Sequence, residues 1–327
     1  MKPDGVEAAQ HRFTSVIDLL GFLELDIRSA PYAIIENPDF PFLVPLSYAG
    51  RMRKREWRDP LLLQVLPLAG EQLEQEGFSD DAVGDAAAQA VPGLLHKYDS
   101  RVLLIASPAC AMHCRFCFRR HYAFGPAPSE AGAMDRAFRY IGRHHEVNEV
   151  VLSGGEPFCL GPEALDRLLQ RCIAVPHLKT IRIDTRVPVA APGMVTQAVI
   201  DIITSVNSVK NCVIVIHANH ASELADDCSL ALTRLRATGA VLLNQSVLLK
   251  GINDNVGALC ELSRALLDHG VLPCYLHQLD RVRGAGHFEV EEETGKKLLA
   301  AMRARLPGYA VPRYVREIAG EKSKRNI

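Results

Sequence analysis

No apolar run in this chain of 327 residues approaches the roughly 18 residues of a membrane span, which excludes a spanning helix as its organising element. Net charge is also nearly absent: 37 basic against 38 acidic residues leave -1, so no global field draws the chain to nucleic acid or an anionic membrane. The opening Met1-Lys-Pro-Asp-Gly-Val-Glu7 lacks the basic-then-apolar pattern of an export signal. Cysteine is not scarce, but its count of nine is odd and no export signal accompanies it, so a disulfide framework is not expected. The compartment expected is the cytoplasm. What is present is the balance of a soluble enzyme with a sizeable core, 48% hydrophobic and 23% charged.

The most telling shortage is a fourth cysteine. Cys110-Ala-Met-His-Cys114-Arg-Phe-Cys117 has C-x3-C-x2-C spacing, and it follows the apolar run Val102–Ala106, which reads as a buried strand entering a loop. Such a loop can point three sulfurs at one inorganic centre. A structural zinc site or an electron-transfer cluster takes four protein ligands, whereas three leave a metal position open for chemistry. The competing readings are ordinary buried thiols, or a zinc site whose last ligand is distant. Cys159, Cys172, Cys212, Cys228, Cys260 and Cys274 lie scattered in apolar contexts and read as packing residues.

From about residue 101 short β-rich runs recur at Val102–Ala106, Glu149–Leu152, Thr180–Ile183, Cys212–His217, Ala240–Leu243 and Leu272–His277. Helical patterns separate them at Ser129–Arg143, Glu163–Cys172, Val195–Ser205, Leu224–Thr238 and Val256–His269. The repeat of roughly thirty residues is one βαβ unit, and successive right-handed units imply a parallel sheet curling toward a barrel. The fold class expected is α/β, a partial (β/α)6 barrel. Residues 1–100 read as a helical N-terminal region, 101–310 as the barrel and 311–327 as a short tail. Polar groups crowd the strand ends, where a barrel keeps its active site: Ser153-Gly154-Gly155-Glu156, Asp184-Thr-Arg186, His217, Gln245 and Asp280.

The cysteine loop, with an aromatic before its third cysteine, resembles that of the radical S-adenosylmethionine (SAM) enzymes. Gly154-Gly155-Glu156 is similar to their GGE motif, although alone it would read as a turn. Longer matches resemble the lysine 2,3-aminomutase branch: Asp59-Pro to Pro67, Lys97-Tyr98-Asp-Ser-Arg101, Arg119-Arg120, Asn244–Asp254 and Gly286-His-Phe288. This resemblance implies a [4Fe-4S] cluster on Cys110, Cys114 and Cys117. It implies SAM held by Gly154, Gly155, Glu156, Arg186, His217 and Gln245. It also implies pyridoxal phosphate (PLP) carried by Lys324, with Tyr98 and Arg101 at the phosphate and Lys322 as the competing lysine. L-Lysine is the implied substrate, its carboxylate on Arg119 and its distant ammonium between Asp280 and Glu317, the latter standing where lysine aminomutases carry aspartate. An external one-electron reductant is required.

The sequence stops three residues after Lys324 and so resembles the short enzymes that supply (R)-β-lysine to a ligase acting on elongation factor P. Oligomeric state is left open. The alternatives within the class are a free β-lysine or β-glutamate producer. Outside it stands a non-catalytic iron–sulfur sensor of iron or redox state.

Overall fold

Alternation builds the strands. In Thr180-Ile-Arg-Ile-Asp-Thr185 the isoleucines are buried against helices while Arg182 and Asp184 share the other face, where they form an ion pair at 2.7 Å. The computed structural model describes residues 12–123 and 132–327. Met1–Glu7 and the first residues of the helix expected from Ser129 lie outside them.

The strands are β1 (Arg12–Phe13), β2 (Val44–Pro45), β3 (Gln89–Val91), β4 (Leu94–Tyr98), β5 (Arg101–Ser107) and β6 (Glu149–Gly154). They continue as β7 (Thr180–Thr185), β8 (Asn211–Ile216), β9 (Val241–Val247), β10 (Leu272–His277), β11 (Arg313–Arg316) and β12 (Arg325–Asn326). β1 and β2 pair only with each other, and the other ten form one sheet in the order β12-β11-β10-β9-β8-β7-β6-β5-β4-β3. From β5 to β11 every pairing is parallel, and antiparallel strands finish both edges.

Helices fill each crossover: Ala133–Arg143, Pro162–Ile173, Gln197–Asn207, Asp227–Ala237, Val256–Asp268 and Glu292–Arg303. Local chemistry explains their starts. Pro162 opens its helix after Gly161, and Thr196 and Asn255 cap theirs by accepting from Val199 N and Ala258 N. Leu165, Leu168, Leu169 and Cys172 then form the buried stripe of the first of these three.

The alternating strand–helix order and the parallel sheet agree with the α/β class expected. Two details differ. A seventh parallel strand, β11, follows the helix Glu292–Arg303; its apolar core is only Tyr314-Val315, too short to announce a strand. The described residues 12–100 hold far less helix than the apolar spacing predicts. They contain a seven-residue helix at Val16–Phe22, a four-residue one at Leu46–Ala49, short 3-10 turns, and β3 and β4 on the main sheet. Prolines at 38, 41, 45, 60 and 67 and the left-handed Glu24, φ 57°, interrupt helix propagation. The sheet also runs across the boundaries at residues 100 and 310, since β4 pairs with β5 and β10 with β11.

Between the edge strands the sheet is open, and side chains bridge the gap. Tyr98 of β4 donates to Glu317, just beyond β11, at 2.7 Å, and Lys97 stands 3.6 Å from the same carboxylate.

Candidate active site

The cysteine loop leaves β5 at Ser107, whose hydroxyl accepts from Ala109 N at 3.1 Å. Arg115, between the second and third cysteines of the loop, is fully buried. It donates to both oxygens of Glu71, at 2.7 Å and 2.5 Å, and to the Phe40 carbonyl at 2.9 Å. Arg120 adds a second guanidinium to Glu71 at 2.6 Å. The loop is thus bolted to the N-terminal region by a shared carboxylate. Gly155 lets β6 lie against it: a Cβ there would meet Ala109 O at 2.4 Å, and Gly154 adopts φ +113°.

Burial pushes the three thiols up. Neighbouring sulfurs add to this at Cys110 and Cys117 (the latter to about 11), while at Cys114 the Arg186 charge works the other way. Among the described residues no three His, Cys, Asp or Glu side chains are drawn together tightly enough for a single metal ion. A sulfur-rich set sharing one electrostatic field, with the buried Arg186 Nε making no hydrogen bond there, fits an anionic sulfur-ligated centre.

Glu156 faces its own loops. Its carboxylate accepts from Thr185 Oγ1 at 2.6 Å and from the backbone N of Arg186, Phe158 and Val187 at 2.7, 3.1 and 3.2 Å. Four donors fill a carboxylate's acceptor sites, so it staples the ends of β6 and β7. His217, beyond β8, is held neutral, its pKa brought down to about 3 by burial and then by Arg186, and its Nε2 lies 3.2 Å from Asn219 Oδ1. Gln245 on β9 meets His277 of β10 at 3.1 Å.

The remaining expected residues converge across the barrel. Arg119 donates to Asp85 at 2.7 Å, Asp85 pairs with Lys97 at 2.7 Å, and Lys97 and Tyr98 both reach Glu317, which holds the Lys324 ammonium. Asp280 is near enough to Lys324 and Glu317 for each to shift its charge. Arg101 stacks on Tyr98 with 4.3 Å between guanidinium carbon and ring centroid. Lys324 is not a solvated tail residue: β12 and the Ile327 N to Tyr314 O bond pin its segment, and it is half-buried where Lys322 is exposed.

Asp85 was not visible in the sequence. It lies in a turn-rich stretch without periodicity, yet it is buried and bridges two cations whose charges hold its carboxyl below the usual range in spite of burial. A cavity of about 240 Å³ opens beside it, lined also by Asp81, Phe118, Arg119, His121 and Tyr122. His277 and Glu223 carried no signal either.

With that geometry in view, the relatives are decisive. L-lysine 2,3-aminomutase of Escherichia coli K12 is 41% identical over 285 residues, 87% of this chain and 82% of that one. The chain belongs to the lysine 2,3-aminomutase family. It is accordingly a radical-SAM enzyme of the isomerase class. The Haemophilus influenzae aminomutase is 39% identical over 306 residues, 94% of this chain and 90% of its own. No protein-family model matches. A solved radical SAM methyltransferase from Sphaerobacter thermophilus is 19% identical at TM-score 0.46 over 68% of each chain, too slight a likeness to argue from. For this aminomutase-family chain, no helix among the described residues is long and apolar enough to cross a membrane.

Proposed function

We propose that the chain converts L-lysine to (R)-β-lysine, using a [4Fe-4S] cluster, SAM and PLP. The observation that carries this reading is the buried charge ladder Arg119–Asp85–Lys97–Glu317–Lys324, which sets a cation at the cysteine loop opposite anions at the far strand ends. A substrate with a carboxylate at one end and an ammonium at the other matches that polarity. β-Glutamate chemistry would need a cation where Asp280 and Glu317 supply anions.

Cys110, Cys114 and Cys117 ligate the cluster. The Gly154-Gly155 backbone, Arg186, His217 and Gln245 line the SAM side, with Glu156 stapling that wall. Lys324 bonds PLP, and Tyr98 and Arg101 flank its phosphate. Arg119 grips the substrate carboxylate by a guanidinium fork, and Asp280 and Glu317 take its ammonium. When bound, these groups supply a carbon radical that removes hydrogen from the β-carbon and a carbonyl that carries the migrating nitrogen. The protein orients substrate and excludes water. The product serves a ligase that modifies elongation factor P in the cytoplasm, and an external one-electron reductant primes the centre, the amino shift itself being redox-neutral.

Anaerobic incubation with L-lysine, SAM and reductant, followed by chiral analysis, tests the reading. (R)-β-Lysine is the expected product; turnover of another amino acid in its place overturns the substrate assignment. Lys324→Ala is expected to abolish the absorption band of lysine-bound PLP and leave that of the cluster. If the PLP band persists, Lys324 is not the carrier. Transfer of the product to elongation factor P by a β-lysyl ligase, read as an intact-mass shift, tests the destination.

A further inference from the structure

Arg186 is held more firmly than a ligand-facing arginine needs to be. Its Nη2 donates to Gln64 Oε1 at 2.8 Å and to Glu223 Oε1 at 2.9 Å, and its Nη1 lies against the Cys114 sulfur. The three segments that meet on this guanidinium are far apart in sequence. Gln64 belongs to the N-terminal region, Arg186 follows β7, and Glu223 lies beyond β8. Glu223 is fully buried, and its carboxylate accepts from Tyr48 Oη at 3.0 Å and from the backbone N of Asn219 and His220 at 2.6 and 2.8 Å. Gln64 is buried as well, and its carbonyl oxygen also accepts from Asn219 Nδ2 at 3.0 Å. Phe116, inside the cysteine loop, packs its ring 5.3 Å from the guanidinium carbon. With both Nη2 hydrogens committed, the planar guanidinium cannot turn, and Nη1 stays directed at the sulfur.

We propose that Glu223, with Gln64, is a positioning residue for the iron–sulfur centre: it holds the Arg186 charge against Cys114. One-electron reduction of the centre by an external reductant is thereby governed by a cation fixed from outside the cysteine loop. The inference rests on the cluster assigned above. A positive charge beside a ligating thiolate favours the reduced, more negative centre, and the contact is partly buried, so screening is weaker than in open solvent.

The test is a potential titration of the anaerobically reconstituted full chain without SAM, followed by electron paramagnetic resonance, with iron counted per chain. Arg186→Gln supplies the reference and lowers the midpoint. Glu223→Gln discriminates by sign. If Glu223 acts only as a nearby negative charge, removing it raises the midpoint. If it acts by holding Arg186, the midpoint falls as in Arg186→Gln, the ratio of reduced to oxidised centre at fixed potential dropping roughly tenfold, about 59 mV for one electron. The double variant shifts no further than Arg186→Gln. Gln64→Leu removes no charge and is expected to shift in the same direction, which decides the matter should Glu223→Gln not fold. A Glu223→Gln midpoint that rises or stays in place overturns the proposal. Wild-type chain that takes up no iron overturns instead the cluster assignment on which it rests.

Discussion

Burial pushes the Asp280 carboxyl up to about 7, and the Lys324 ammonium pulls it only part of the way back. A carboxyl with a raised pKa is neutral below that value, so Asp280 offers an ammonium no charge until pH rises through about 7. The KM for lysine is therefore expected to fall as pH crosses that range, with kcat changing less; Asp280→Asn is expected to raise KM and flatten the profile. Steady-state kinetics across neutral pH checks both. Glu317 behaves oppositely. Despite burial, Lys324 and the Tyr98 hydrogen bond keep it below the usual carboxylate range, so it stays charged throughout. At this scale the sequence was legible wherever a residue sat in a motif. Asp280 and Glu317 could be named from the resemblance, but the difference between their charge states depends on neighbours that only folding supplies.

The cysteine loop works as an element because Glu71 answers two buried guanidinia at once. Glu71→Ala would leave Arg115 and Arg120 without their counter-charge and is expected to cost about 3–5 kcal/mol. A lowered denaturant midpoint measures it, and a loss under 1 kcal/mol would sink the claim that this carboxylate bolts the loop. The strand positions from β5 to β10 were readable because apolar alternation and loop punctuation are local signals. The Glu71–Arg115 pair, 44 residues apart, has no local signature. The N-terminal region misled for a related reason. Its apolar spacing fits a helix over short windows, but its prolines forbid extending one, and two of its strands instead finish an edge of the sheet.

At the scale of the molecule, the open side of the barrel is spanned by side chains. Glu317 receives Tyr98 and Lys97 from β4 and Lys324 from the tail, so one carboxylate joins both edges. Glu317→Gln is expected to loosen this seam. Amide exchange over residues 313–327 should quicken while that of β6 to β8 stays unchanged, as read by hydrogen–deuterium exchange with mass spectrometry. Unaltered exchange in the tail would show that β12 pairing alone holds it.

The sequence by itself determined the strand–helix repeat, the spacing of the cysteines, the glycines after β6 and the identity of the residues at the strand ends, because each is set by neighbours a few positions away. Tertiary structure decided which of those side chains meet. It brought Asp85 between Arg119 and Lys97, turned the Glu156 carboxylate into a staple, drew Lys324 onto Glu317, and locked Arg186 against Cys114 through Glu223 and Gln64. Those pairings come from a parallel sheet that gathers its strand ends and loops on one rim, which brings even Gln64 and Arg186, 122 positions apart, within one hydrogen bond.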